Sequence, residues 1–448
     1  MGILRIVINV LAVTALLTAS SVVARAEEWG NWRGPHYNGS TEAKGLPSEF
    51  SPEKNVKWSI PLPGPSAATP IIWGDRVFVS SVDTQKQDLL AFCVDRLTGK
   101  MMWQHSAHSG YITPGGTRVQ FDDRSNYASP SPVTDGKRVV FFYGNGDLVC
   151  FDMDGERQWA RNIQKEYGDF AFMWTFSSSP QLYAGKLYLQ ILQRNTSVGD
   201  RGRGEPKSFL LAMDPATGKE LWKHVRPTLA IVESREAYST PIPYEANGRK
   251  EILIAGGDIL TGHDPETGEE LWRWGTWNAD HREQYWRLVA SPVAGGGVVL
   301  ATAPKGMPVY AAKAGGRGDL GADGLVWKSE NRGPVSSDVA TPLFYKGKFF
   351  VLSDVRKALS CVNPSDGKVE WSTPTPGPAV CWGSPTGADG KIYVLSVRGD
   401  ASVFDADTGK VLSTASMAEG EGDIRASIAV AHDNLFIRTE SKLYCIGK

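Results

Sequence analysis

The chain has 448 residues, 48 basic and 49 acidic side chains, and a formal net charge of −1, a balance that excludes nucleic acid or an anionic membrane as the main partner surface. Its length exceeds what one hydrophobic core usually supports, yet no linker, charge run or composition break divides it. The core is therefore expected to be distributed among repeated units.

Residues 1–26 read as a secretory leader, with Arg5 in a short basic region, an apolar run over 6–17 and an A-x-A site cut after Ala26. The apolar run is too short to span a bilayer, and no cysteine stands at the cleavage site to take a lipid anchor. A periplasmic or secreted location follows. Residues 27–54 form an arm punctuated by glycine and proline, in which Trp29, Trp32 and Arg33 read as capping contacts on the body, with a partner surface as the alternative.

From residue 55 to 448 the chain repeats itself. The clearest unit, LAMDPATGKELW at 211–222, enters as an apolar strand, turns at Asp214 through Pro215, Thr217 and Gly218, and leaves as a strand carrying Trp222. Asp accepts backbone N–H groups in an Asx turn, Pro presets φ, and Gly supplies the positive φ that a tight reversal needs. Copies end at Trp103, Trp159, Trp272 and Trp371, a degenerate one ends at Trp327, and FDADTGKVL at 404–412 lacks the indole. Each unit starts with a Ser/Thr-Pro element, such as ATP at 68–70 or GSP at 383–385. A Gly or Asp turn and an alternating strand such as RVFVSS or KIYVLSV follow. Four short strands per unit and eight units predict an all-β fold, an eight-bladed β-propeller of four-stranded antiparallel blades.

Trp58 stands in register with no hairpin before it, while NLFIRTESKLYCIGK at 434–448 stops where a fourth strand is due. The N-terminal strand is therefore expected to close the last blade. A blade is apolar on both faces and must stack on its neighbours, so Trp58, Trp103, Trp159, Trp222, Trp272, Trp327 and Trp371 are expected to dock between blades. Cys93, Cys150, Cys361 and Cys445 occupy one small-residue slot in four different units, beyond the roughly 7 Å reach of a disulfide. They read as unpaired core thiols. His105, His108, His224, His263, His281 and His432 lack metal-ligand spacing and read as lone surface residues.

The repeated [AV]xDxxTGKxxW, with SPxxxxGxVYV ahead of it, resembles the PQQ-like propeller repeat of the quinoprotein alcohol dehydrogenase superfamily and that of the lipoprotein scaffolding outer-membrane β-barrel assembly. NWRGP, YASPSP, GDLVCFD and RTESKLYCIG are similar to exported PQQ-like propellers of planctomycete-type bacteria. The resemblance spans essentially the whole chain after the leader and implies a scaffold; it does not by itself imply a bound quinone.

In such a ring the loops entering each innermost strand line one mouth of the channel. Those loops carry Arg124, Asn126, Tyr127, Trp174, Arg235, Glu236, Tyr285, Arg287, Asp338, Trp382 and Arg425. Two insertions, 194–207 and 313–323, are expected to extend the mouth into a funnel. This arginine- and aromatic-rich set reads as the ligand surface of a monomeric, non-catalytic propeller that binds a protein, peptide or glycan without a cofactor. The resemblance implies two alternatives. One is a dehydrogenase of alcohols or sugars using PQQ and Ca²⁺. There Arg124, Arg235, Arg287 and Arg425 would meet the quinone carboxylates, Trp174 or Trp382 would stack, Asn126, Glu236 and Asp338 would be metal ligands or bases, and Asp338 would be the base. The chain departs from that pattern in lacking a vicinal cysteine pair and a CxxCH haem site. The other alternative is a scaffold in outer-membrane barrel assembly.

Overall fold

The computed structural model describes residues 28–111, 126–202, 204–275 and 277–448; the leader and Arg124 lie outside them. The described residues form eight sheets, each with four antiparallel strands, and the first seven are built outward in chain order. Blade one shows the plan: Ile71–Trp73 is innermost, followed by Arg76–Asp83, Asp88–Asp95 and the outer Met101–Ser106. Burial falls outward along the same path, from fully buried middle strands to an outer strand that alternates between half-buried and exposed. Blade eight has only three strands of its own, and Val56–Pro61 completes it by pairing with Lys442–Ile446, Trp58 opposite Cys445. The ring is thus closed by its own beginning.

The turns work as their residue types dictate. Asp95 Oδ1 accepts the backbone N–H groups of Leu97 and Thr98, and Gly99 N–H closes the turn on Asp95 O. The positive φ at the turn glycine leaves a bare backbone surface, and the tryptophan of the preceding blade lies on it. A Cβ would stand 2.9 Å from Trp58 at Gly99, 2.8 Å from Trp103 at Gly155 and 2.7 Å from Trp159 at Gly218. Trp222, Trp327 and Trp371 meet Gly268, Gly367 and Gly409 in the same way. Trp272 is the exception. Its indole is fully buried and donates to Glu251 Oε2 of its own blade at 2.7 Å, while Trp274 faces Gly324 of blade five instead. The degenerate turn of blade five offers no TGK glycine to dock on. Gly218→Ala, with φ of +69° and an indole 2.7 Å from the new Cβ, is expected to cost roughly 1–3 kcal/mol in urea unfolding. Gly185→Ala, with φ of +77° and open space around it, should cost only the backbone strain of about 1 kcal/mol.

The Ser/Thr ahead of each proline does more than begin a strand. Thr69 N–H donates to Ser131 Oγ, Ser131 N–H to Ser179 Oγ, Ser179 N–H to Thr240 Oγ1 and Thr240 N–H to Ser291 Oγ. Ser291 N–H then donates to Thr341 Oγ1, Thr341 N–H to Ser384 Oγ, Ser384 N–H to Ser427 Oγ and Ser427 N–H back to Thr69 Oγ1. These bonds of 2.8–3.2 Å form a closed belt around the channel, one link per blade.

The arm crosses the face opposite the loop mouth. It pairs Trp29 with Ile72 and Ser40 with Gly387, and Asn38 O accepts Phe344 N–H. Tyr37 OH reaches Leu182 O, and Tyr393 OH reaches Pro47 O. Trp29 and Arg33 are fully buried. They are capping contacts, and the arm plugs this end of the ring. All five cysteines are buried thiols, and burial pushes each up to about 12. The histidines are not uniformly superficial. His263 is wholly buried between Gly268 O and Thr261 Oγ1, and burial lowers it to about 3. His108 and His281 each face a carboxylate, Asp147 and Asp258.

Candidate functional site

The loops entering the innermost strands converge as expected on one mouth. A cavity of about 220 Å³ there is lined by Trp174, Tyr238, Arg287, Asp338, Trp382 and Arg425, among others. Below it the channel continues as a space of about 160 Å³ walled by belt residues, with Trp32 of the arm at its base. The arm lies across the far end of this space, and the described residues leave it open toward the mouth.

Each lining side chain is held by neighbours. Arg425 donates to Asp423 Oδ2 at 2.9 Å and its guanidinium carbon lies 5.0 Å from the centre of the Trp382 ring, a cation–π contact. Arg287 Nε stands 3.6 Å from Glu233 Oε1, whose other oxygen is 3.9 Å from Arg194 Nη2. Arg194 Nε pairs with Glu236. Glu236 Oε2 accepts Tyr238 OH at 2.6 Å, and Tyr238 OH accepts Trp174 N–H at 3.2 Å. Insertion 194–207 therefore reaches the mouth, and its contribution is a buried strut that fixes Trp174, Tyr238 and Arg287. Arg201, from the same insertion, donates to Phe172 O at 2.6 Å. Burial raises both the Glu236 carboxyl and the Tyr238 phenol, so the phenol stays protonated and donating.

Several expected mouth residues do other work. Glu236 is wholly buried, with its oxygens taken by Arg194, Tyr238 and the Met173 N–H. Asn126 is 1% exposed and caps Ala128 N–H, and Tyr127 is buried beside it. Arg235 points to the carbonyls of Thr228 and Ala230. Tyr285 is 56% exposed on the outer rim under the Lys305 ammonium. Insertion 313–323 does not join a funnel. It lies on the outside of blade four, where Gly318–Asp319 adds a parallel strand beside Trp272 and Arg273. As a connection between third and fourth strands it emerges at the end of the blade opposite the mouth.

Asp338 does reach the cavity, and its N–H donates to Asp354 Oδ2 at 2.6 Å. Burial, with the Asp338 charge adding to it, pushes the Asp354 carboxyl up to about 6. A carboxyl raised in the folded state favours folding below the unfolded value of about 4, and that contribution is lost as pH rises through 6. Asp354→Asn is expected to be roughly 2–3 kcal/mol more stable than the parent at pH 8 and equal to it near pH 4. Urea midpoints across that range check it.

A quinone and its calcium ion would need cations, flat apolar faces and a cage of oxygen ligands. The guanidiniums of Arg287 and Arg425 and the indoles of Trp174 and Trp382 suit a planar polyanion. A calcium cage does not assemble. Glu236 is sealed in its ion pair, Asn126 is a cap, and among the described residues no three His, Cys, Asp or Glu side chains gather as a metal site. The sequence signals for Tyr238, Trp32 and Arg194 were present in SREAY, NWRGP and the insertion, but nothing local marked them as wall, floor and strut.

Two curated proteins resemble the chain: polyvinylalcohol dehydrogenase of a Pseudomonas species, 24% identical over 256 residues, and polyvinylalcohol dehydrogenase of Sphingopyxis sp. (strain 113P3), 24% identical over 263 residues. The matches take in 54% and 57% of this chain, and the chain spans only 35% and 36% of those relatives' lengths. Among solved structures, a europium-containing methanol dehydrogenase superposes with a TM-score of 0.68 at 11% identity, covering 94% of this chain and 98% of that one. BamB from Moraxella catarrhalis superposes at 0.60 and 14% identity, covering 87% and 99%. At these identities the superpositions show the fold. The family profile described as outer membrane protein assembly factor BamB matches residues 51–205, 92–318 and 317–446, and the chain therefore belongs to that family of PQQ-like β-propellers.

Proposed function

We propose that this protein is an exported binding propeller that takes the end of a polar ligand, a glycan in the first instance, into its blind mouth. The observation that carries this reading is the cavity itself. Two indoles offer flat apolar faces, Arg287 and Arg425 offer donors, Asp338 offers an acceptor, and the arm prevents threading. Aromatic faces with a few convergent polar groups are the usual chemistry of a small-ligand site. Two relatives named for a polyhydroxylated polymer support a ligand of that class. The test is calorimetric titration of the mature protein with neutral and acidic oligosaccharides. Trp382→Ala is expected to weaken the best ligand at least about tenfold, and indifference to that change would sink the reading.

A second reading, a periplasmic PQQ-dependent dehydrogenase, is favoured by the names of the curated relatives and by the cation and indole pair at the mouth. Saturable PQQ binding with alcohol-dependent dye reduction in the presence of Ca²⁺ would establish it. The sealed state of Glu236 weighs against it. A role in outer-membrane barrel assembly, suggested by the family description, would be seen as co-purification with that machinery.

A further inference from the structure

The belt hydroxyls have a spare half. A serine or threonine hydroxyl that accepts an N–H still has one O–H to give. Among the described residues none of the eight gives it to a protein acceptor, and each is at most 5% exposed. A buried donor left without an acceptor is costly, so these O–H groups must find something inside the channel.

What surrounds that space defines what it takes. Ser131, Ser179, Thr240, Thr341, Ser384 and Ser427 of the belt line it, Arg425 stands where it meets the mouth, and among the described residues no carboxylate is on its wall. The space is donor-rich, with Arg425 paired to Asp423 at its upper edge, closed below by Trp32 and open above through the cavity shared with Tyr238 and Trp382. Its volume of about 160 Å³ has room for one small oxyanion among waters.

We infer that the belt is an anion subsite that reads a terminal carboxylate, so that the ligand enters end-on with its charged end beneath Arg425. This deepens the glycan-binding reading and rests on it for the rest of the ligand. The same chemistry would hold a free oxyanion, and the two sources are separable by experiment.

The mature protein is titrated with acetate and with sulfate in chloride-free buffer, following tryptophan fluorescence and heat. A uronate-ended oligosaccharide is then compared with its neutral parent. The expected result is one saturable site for the small anions, competition between acetate and the uronate, and at least tenfold preference for the uronate over the neutral parent. Arg425→Gln should abolish that preference. Val339→Asp, which sets a negative charge where the mouth cavity meets the channel, should do the same. Equal binding of uronate and neutral parent, with no acetate site, would overturn the subsite and leave the mouth reading standing. Acetate binding without any oligosaccharide binding would keep the subsite as a free-oxyanion site and overturn the mouth reading.

Discussion

Arg33→Ala is expected to destabilise the protein by roughly 3–5 kcal/mol, the largest loss for any one side chain of the arm. The guanidinium is fully buried and, among the described residues, has no carboxylate partner. It donates to Pro342 O at 3.0 Å, Pro385 O at 3.3 Å and Asn38 O at 3.1 Å. Burial lowers it to about 9, so it remains charged at neutral pH. Two of those carbonyls follow belt residues in blades six and seven, and the third belongs to the arm. One planar cation therefore ties three segments together, and its removal leaves the two buried proline carbonyls without a donor, and a cavity. Lysine should not rescue it, because a single ammonium cannot reproduce the planar fork. The urea midpoint should fall with an unchanged slope, and the emission of Trp32, whose ring lies 5.6 Å from the Arg33 guanidinium carbon, should shift as the floor loosens. An unchanged midpoint would mean that the arm merely rests on the ring.

Arg194→Met should cost a comparable 3–5 kcal/mol, for a different reason. Glu236 would be left as a wholly buried carboxylate without its cation. The lost energy is then chiefly the stranded charge, and Glu236→Gln in the Arg194→Met background should recover much of it. The functional effect separates the strut from a generic core residue. Tyr238 and the Trp174 backbone hang on Glu236, and Arg287 on Glu233 beside it. Ligand affinity should therefore fall in the Arg194→Met protein even at temperatures where it is fully folded, and should stay low in the double variant.

The ring was legible because its determinants are local. An Asp, a Gly and a Trp within nine residues specify a turn and a docking surface, and their repetition counts the blades. Loop order was likewise enough to bring Trp174, Arg287, Asp338, Trp382 and Arg425 to one mouth. What escaped the sequence was set by distant partners. Glu236 looked like a free carboxylate because Arg194 is 42 residues away, and Arg33 meets carbonyls more than 300 residues on. Trp272 matched the repeat perfectly and still turned inward, because the surface it would have docked on belongs to the next, degenerate turn. The belt serines were visible as a motif, but their bonds join different blades.

Ring closure by Val56–Pro61 also sets an order of events. That strand is made among the first residues of the ring, and its partner Lys442–Ile446 is among the last. Until Lys442–Ile446 is made, Trp58 and two unpaired sheet edges stay open, and the arm lacks the blades it must bridge. Closure is thus one late, maximally non-local step, of the kind that proceeds slowly. An open propeller is itself a template for strand pairing with another copy. The yield of refolded protein should therefore fall as its concentration rises, even though each blade is assembled from neighbours in the chain.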